Sequence, residues 1–269
     1  MGRQPSEKNK GFKVRMKDQS LFSVITVTFN CVDVLEETIL SVINQTYKER
    51  ELIIIDGGST DGTLTIVDKY RESIAYFISE PDNGIYDAMN KGIRAAKGSW
   101  LNFLNAGDAY VDENVLKTLF SSTEFDDTLV YGDIYIQKLN GEREYRKAIK
   151  VEGDAQLKQG MKICHQAIFY HRDIIQFYDA SLKLKAEWKH LIETVRYPKF
   201  KPKKVKLPIV SYRLGGMGAV LHNLNRREMR QVFKEMYGLP EYIKAYPYFF
   251  ELKLRSIIKD LLQLLNISY

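Results

Sequence analysis

Within Ser79–Asp108, SEPDNGIYDAMNKGIRAAKGSWLNFLNAGD, a turn, a helix, a glycine stop, a buried strand and an acidic loop follow in order. Asp82, Asn83 and Gly84 are turn formers. Ala88, Met89, Ile93 and Ala96 recur at helical spacing. Lys97 and Gly98 end that helix, by charge in its last turn and a C′ glycine. Trp100–Leu104 has the length of a strand, and Asp108 follows at its carboxyl end. In an open α/β sheet that edge is where ligands bind.

The same grammar runs upstream. Residues 22–29, FSVITVTF, are nearly all apolar and rich in β-branched types, as in the buried strands of parallel sheets. Val34–Asn44 reads as a helix with Leu35, Ile39, Val42 and Ile43 inward. Glu51–Ile55 is a second buried strand, ending at Asp56. The loop DGGSTDGT at 56–63 brings three glycines, which allow tight turns and close approach of a ligand to the backbone. Thr60 or Asp61 caps a helix over 63–70, and Ile74–Ser79 is a third strand. Repeated βα units imply a mostly parallel central sheet flanked by helices, with right-handed crossovers.

Downstream, AYVDENVLKTLF reads as a helix and Thr128–Tyr131 as a strand. Tyr135–Val151 reads as a hairpin turning at Leu139-Asn140-Gly141-Glu142, a small antiparallel excursion. MKICHQAIFYH at 161–171 returns to a buried element, and Leu184–Arg196 is a helix. The basic stretch KFKPKKVKLP separates that helix from a strand at Ile209–Leu214. Gly215, Gly216 and Gly218 form a flexible loop, and Asn225–Tyr237 is a helix. In the tail, Leu254, Ile257, Ile258, Leu261, Leu262 and Leu265 share one helical stripe, with Lys253, Arg255 and Lys259 beside it. That stripe either packs on its own domain or a partner subunit of a homo-oligomer, or lies in the plane of a membrane surface.

Charge divides the chain. Residues 196–269 carry fifteen Lys/Arg against five Asp/Glu, whereas 1–195 carry 25 against 29. A basic C-terminal part suits a polyanion or an anionic membrane surface. No recognised motif supports nucleic acid. The 269 residues, 45% of them apolar, suffice for a large core. Cys31 and Cys164 are too few and too far apart for a disulfide scaffold or a cysteine zinc site. Residues 1–20 are polar and basic and read as a disordered leader. With no apolar signal run and no stretch of 18 apolar residues, the expectation is a cytoplasmic protein, at most peripheral on the inner face of the cell membrane.

Asp56 and Asp108 occupy the same topological position at the ends of two strands. Two hard oxygen ligands there can hold a divalent cation and, through it, phosphate oxygens, or can accept hydrogen bonds from a base or ribose. Equally, each can merely cap its loop. The loop after the first strand, Asn30-Cys31-Val32-Asp33, lacks a dinucleotide glycine fingerprint, and no Walker motif occurs. Asn90 and Lys91 either face a substrate phosphate or, for Lys91, form a surface pair with Asp87. His165 and Gln166 precede an apolar run, as ligand, substrate donor or structural pair. Glu187 is the best general-base candidate of the second half, or a carboxylate favoured by a helix start. Trp188 either stacks on a sugar or packs. Cys164 beside His165 assembles no triad.

Taken together these residues resemble the family 2 glycosyltransferases, in particular the bacterial branch that builds exopolysaccharide, capsule or O-antigen chains. The likeness spans about 22–218. It rests on SVITVTFN at 23–30, IIIDGGSTDGT at 53–63, SEPDNGIYDAMNKGI at 79–93, FLNAGD at 103–108, HQAIF at 165–169 and AEW at 186–188. The resemblance implies a GT-A fold over 21–218, with a nucleotide-binding half to residue 108 and an acceptor half from 109. Residues 219–269 would be a basic helical extension. It implies a nucleotide-diphosphate sugar donor, UDP-linked, and Mn²⁺ or Mg²⁺. Thr28 and Asp56 would touch the base, with Asn30, Gly58 and Asp82 near the nucleotide. Asn105 and Asp108 fall on the family's DxD segment, Asp108 as the carboxylate for metal and diphosphate. Glu187 would be the base of an inverting transfer to a saccharide or polyprenyl-diphosphate-linked acceptor, with His165 and Gln166 lining the reaction site.

Three positions depart from the family pattern: Gly57 replaces a second acidic residue, Asn105-Ala106-Gly107-Asp108 lacks one carboxylate of DxD, and Glu187-Trp188 stands where Asp-Tyr is common. The alternative is a sugar-nucleotide-binding protein without catalysis. A nucleotidyltransferase would need a phosphate-cradling glycine loop after the first strand, which is absent.

Overall fold

The computed structural model describes residues 21–122, 127–138, 140–214 and 222–264. Its strands are β1 (Phe22–Thr28), β2 (Arg50–Asp56), β3 (Tyr76–Ser79), β4 (Trp100–Phe103), β5 (Ala109–Tyr110), β6 (Leu129–Gln137), β7 (Arg143–Arg146), β8 (Ile168–His171) and β9 (Pro202–Arg213). The helices are α1 (Leu35–Ile43), α2 (Thr63–Lys69), α3 (Ile85–Ala95), α4 (Val115–Ser122), α5 (Ala186–Val195) and α6 (His222–Leu264). Gly238 breaks α6, with φ 81° and ψ 168°.

One sheet runs β3-β2-β1-β4-β8-β6-β9-β5, with β7 hairpinned on β6. The half built from β1 to β4 is parallel. β8 then lies antiparallel between β4 and β6, so the second half is mixed and larger than the hairpin alone. β1 buries both faces. Ile25 and Val27 join Ile53, Ile55, Met89 and Phe103 on one side, and Val24 joins Leu35, Ile39, Leu52 and Ile54 on the other. That two-sided burial explains why the strand reads as a continuous apolar run. Each such side chain contributes about 1.5–3 kcal/mol. α3 lies directly on β1: a Cβ on Gly92 would come 2.4 Å from Ile25 Cγ2.

Several sequence boundaries shift. KFKPKKVKLP is no separator, because from Pro202 onward it is the first half of β9, parallel to β6 and bulged against it near Asp133. Its lysines hid a strand whose pairing is long-range. β6 continues unbroken from Leu129 to Gln137, where the sequence reads two strands. In AYVDENVLKTLF, Ala109–Tyr110 pairs with β9 and the helix begins only at Val115. The first part of α6 enters the main core through Val232 and Phe233. The leader at 1–20, Leu139 of the hairpin turn, the glycines at 215, 216 and 218, and the side chains of Lys253, Arg255, Ile257, Ile258, Lys259, Leu261, Leu262 and Leu265 lie outside the described residues.

Candidate active site

The carboxyl ends of β1 to β4 share one edge of the sheet, and the site is built there. Asn102 in β4 donates from Nδ2 to the carbonyls of Gln166 (2.9 Å) and Ile168 (2.8 Å) and accepts from the Tyr110 hydroxyl (2.9 Å). This buried amide locks the HQA segment beside the loop that carries Asp108. The loop is tied down again by Thr38 of α1. The Thr38 hydroxyl accepts from Gly107 N–H at 2.9 Å and donates to the Asp108 carbonyl at 2.8 Å.

Asp108 is 5% exposed. Its Oδ1 accepts the backbone N–H of Arg213 at 2.9 Å, and the Gln166 side chain reaches the same carboxylate. Burial pushes its pKa up to about 7, and the nearby Glu187 charge adds to the rise. Glu187 stands in the first turn of α5, where a helix N-terminus favours an anion. Desolvation prevails, and its pKa is pushed up to about 7 although Lys185 pulls it down. The side chain keeps 26% of its surface open, so this is the push of a cleft wall rather than of a sealed interior.

The approach to α5 is held from below. Glu228 of α6 accepts the backbone N–H groups of Lys183 (2.8 Å), Leu184 (2.8 Å) and Lys185 (3.1 Å). The Tyr86 hydroxyl meets those of Ala186 and Glu187. His165 is buried, bonded through Nε2 to the Tyr178 hydroxyl at 2.7 Å and stacked on Phe103. Burial drops its pKa to about 3, so it is neutral. Its Nδ1 has no hydrogen-bond partner among the described residues and lies 3.7 Å from Glu187 Oε1. The Cys164 thiol donates to Gln166 Oε1 at 3.0 Å and is pushed up to about 12 by burial, which leaves no thiolate nucleophile at neutral pH.

The structure brings Asp108, His165, Gln166 and Glu187 close together. Other expectations are corrected. Asp56 is fully buried and accepts from Gly58 N (3.0 Å), Ser59 N (2.9 Å), Ser59 Oγ (2.5 Å) and Ser79 Oγ (2.6 Å). Three of those donors go to Oδ2 and one to Oδ1, and with the side chain fully buried the carboxylate is engaged in holding the glycine loop. Gly58 takes φ 87° in that turn and its N–H is spent on Asp56.

Asn90 is a clamp: Nδ2 donates to Tyr178 O at 2.9 Å and Oδ1 accepts Tyr178 N–H at 2.7 Å, so it faces no phosphate. Lys91 pairs with Glu80 (2.8 Å) and Asp87 (3.7 Å), the surface alternative. Trp188 is 2% exposed and donates to Leu157 O at 2.8 Å; it packs rather than stacking on a sugar.

Asn30 remains exposed at φ 49°, with Oδ1 accepting Thr60 N–H at 2.9 Å. Thr28 Oγ1 is buried with no partner among the described residues. The Oδ1 of Asp82 accepts Gly84 N–H at 2.8 Å. Sequence reasoning missed Tyr212 and Arg213, which β9 carries to Asp108, and Glu228. No local signal marks them, since their roles arise from pairing and packing across the chain.

Among the described residues no group of three or more His, Cys, Asp or Glu forms a metal cluster. A cation shared with a diphosphate needs fewer protein ligands, because Mg²⁺ is commonly held by one or two carboxylates plus substrate phosphates. Asp108 would supply that carboxylate. Asn105 Oδ1 is buried and unpartnered among the described residues, a second hard oxygen in the same turn. The donor set fits a divalent cation of this kind.

Residues 23–191 match the family model described as Glycosyl transferase family 2. A PGL/p-HBAD biosynthesis glycosyltransferase of Mycobacterium bovis (strain BCG / Pasteur 1173P2) is 32% identical over 206 residues, covering 73% of this chain and 78% of that protein. A cholesterol galactosyltransferase of Borreliella burgdorferi is 32% identical over 117 residues, 42% of this chain and 32% of that one. S. aureus TarS 1-349, solved in complex with UDP-GlcNAc, superposes with a TM-score of 0.58 at 16% identity, over 80% of this chain and 71% of its own. The mannosyltransferase PcManGT from Pyrobaculum calidifontis, solved with GDP-Man and Mn²⁺, gives 0.60 at 14% identity, over 81% and 64%. The structural likenesses carry the fold and the family match carries the chemistry: the chain belongs to glycosyl transferase family 2 and is a glycosyltransferase of GT-A fold.

Proposed function

We propose that this enzyme transfers a sugar, with inversion at C1, from a nucleoside-diphosphate sugar to a hydroxyl of a saccharide or polyprenyl-diphosphate-linked acceptor in cell-surface polysaccharide synthesis. The observation that carries the proposal is the pairing, in one cleft, of Glu187 on a helix N-terminus with Asp108 on the strand-edge loop, both pushed up to about 7. A base poised near the operating pH is what abstraction of a hydroxyl proton requires.

Asp108 and Asn105 would hold Mn²⁺ or Mg²⁺, which when bound supplies positive charge to the diphosphate leaving group. Gln166 and the Arg213 backbone fix the Asp108 carboxylate. Glu187 takes the proton of the acceptor hydroxyl. That oxygen forms its bond to C1 on the face opposite the diphosphate, and the C1–O bond to the diphosphate breaks with its electron pair leaving on oxygen. His165, neutral and buried, keeps the wall behind Glu187 apolar and uncharged.

A membrane-associated acceptor fits the tail. Leu239, Ile243, Tyr246, Phe250 and Leu254 are all exposed and fall on one face of α6 after Gly238, opposite Ala245 and Phe249, which pack inward. Such a face suits an interfacial helix. No described helix is long and apolar enough to cross a membrane.

Purified protein with Mn²⁺, lipid extract and a panel of nucleotide sugars tests the proposal. A glycosylated product of inverted anomeric configuration, lost in Glu187→Gln, supports it. Retention of configuration, or full activity in that variant, refutes it.

A further inference from the structure

The wall behind Glu187 carries one polar atom, Nδ1 of His165. It is buried, has no hydrogen-bond partner among the described residues, and lies 3.7 Å from Glu187 Oε1. At that separation no hydrogen bond is made. Its neighbours fix the ring: it stacks on Phe103, with centroids 5.2 Å apart, and meets Tyr178 edge-on at 5.7 Å. The tautomer follows from Tyr178. Burial keeps that phenol protonated, and its hydroxyl has one hydrogen-bond partner among the described residues, His165 Nε2 at 2.7 Å. The hydroxyl proton therefore goes to Nε2, and the ring hydrogen sits on Nδ1, facing the carboxylate. Tyr178 is held in turn by its two backbone hydrogen bonds with Asn90 and by stacking on His190, with centroids 4.3 Å apart. A chain of contacts thus runs from α3 to the first turn of α5.

Glu187 lacks such a partner. Its carboxylate accepts no hydrogen bond among the described residues, whereas that of Asp108 is held by Arg213 and Gln166. The charged and titratable groups around Glu187 are Lys185 beside α5, Asp108, Cys164, Tyr86 of α3, Tyr170 of β8, Tyr178, and Tyr212 of β9. None of them donates to its carboxylate. We infer that His165 is a positioning residue for Glu187: in the acceptor-bound enzyme its Nδ1–H closes onto Oε1 and leaves Oε2 for the acceptor hydroxyl, while Tyr178, pinned by Asn90, sets the ring's tautomer. The inference rests on the reading of Glu187 as the base. Catalytic hydrogen bonds are often long in the free enzyme and tighten in the substrate complex. A donor on Oε1 stabilises the ionised carboxylate in a site whose burial favours the neutral acid. The acceptor's proton moves to Oε2, and the O–H bonding pair becomes the new bond to C1. His165 keeps its own proton throughout.

Single-turnover rates of the full-length protein across pH, with calorimetry of the donor beside them, test the assignment. His165→Phe keeps a flat ring against Phe103 and removes the donor. It is expected to slow transfer about ten- to a hundredfold, the span of a hydrogen bond to a charged group. The midpoint of its pH profile should rise by about one unit, because the ionised base has lost a donor. Donor affinity should not change. His165→Asn, whose amide nitrogen falls near the place of Nδ1, should recover most of the rate. In a Glu187→Gln background His165→Phe should cost less than about twofold, since the carboxylate it serves is gone. Tyr178→Phe keeps the packing and should move the midpoint the same way by a smaller step. Nitrogen NMR of histidine-labelled protein should show the signal that His165→Asn removes to be protonated at Nδ1. An Nε2–H signal, an unmoved midpoint in His165→Phe, or an equal fold-loss in the Glu187→Gln background overturns the assignment and leaves the reading of the base standing. Should His165→Phe not fold, the Tyr178→Phe profile takes its place, and an unmoved midpoint there overturns the assignment. Full turnover in Glu187→Gln alone overturns both.

Discussion

The backbone N–H of Arg213 donates to Asp108 Oδ1 at 2.9 Å, across 105 residues of chain. A strand from the far half of the sheet thus orients the carboxylate that closes the near half. Arg213 reinforces the link with Nε to Gly107 O at 3.3 Å and Nη2 to Glu37 Oε2 at 2.7 Å.

That burial has a cost in metal-free protein. The folded pKa of Asp108 is raised from 3.8 to about 7, so its contribution to stability is complete below about 3.8 and is lost as pH rises through about 7. Asp108→Asn keeps an acceptor for Arg213 and removes the charge. At pH 8 in EDTA it is expected to be more stable than the parent by on the order of 2–4 kcal/mol, yet to gain nothing from Mn²⁺ with nucleotide, which should stabilise the parent. Thermal melts across pH, with and without metal, check both halves.

Glu187→Gln should retain donor binding within about twofold and lose turnover by about 10²–10⁴-fold, the range of general-base catalysis. Since the base must be ionised, the parent's turnover should rise with pH to a plateau, with its midpoint near 7. Single-turnover rates across pH, beside calorimetry of the donor, separate the two effects. A flat profile would exclude Glu187 as the base.

Glu228 supports α5 without reaching the cleft. Glu228→Ala strands three backbone N–H groups and is expected to cost about 2–4 kcal/mol in urea unfolding. It should lower kcat at least about tenfold, because small displacements of a catalytic group are expensive. KM for the donor should move little.

Asn90 and Lys91 are neighbours with opposite expectations. Asn90→Ala breaks two buried hydrogen bonds to Tyr178, whose hydroxyl meets His165, and should cost about 2–4 kcal/mol. Lys91→Ala removes a surface ion pair and should change stability by less than about 1 kcal/mol and donor affinity not at all. Denaturant curves and donor titrations decide; a large loss of donor affinity in Lys91→Ala would restore the phosphate-contact reading.

Ile243 and Phe250 lie on the exposed apolar face of α6. The double change Ile243→Glu with Phe250→Glu is expected to reduce binding to anionic vesicles at least about tenfold, from lost apolar burial and added negative charge. Turnover of a water-soluble acceptor should be unaffected. Sedimentation with vesicles measures the first; unchanged sedimentation accompanied by loss of a dimer would assign the face to a second copy.

The inner strands of the parallel half, β1, β2 and β4, were legible because they are buried on both faces, unlike the edge strand β3. FSVITVTF and ELIIID announce themselves by composition, and glycine and aspartate mark the loops that follow β2 and β4. The mixed half was not: β9 begins in a lysine-rich run, and only its register against β6 makes it a strand. The site divides in the same way. Asp108 and Glu187 stood out because strand ends and helix starts are local features that place a carboxylate at an edge. The fates of Asp56, Asn90 and Trp188 were decided by tertiary structure, since each side chain is consumed by partners the sequence does not place beside it. A buried carboxylate held by four donors and one left at a cleft edge are the same kind of side chain in a sequence; long-range folding alone determines which neighbours reach it.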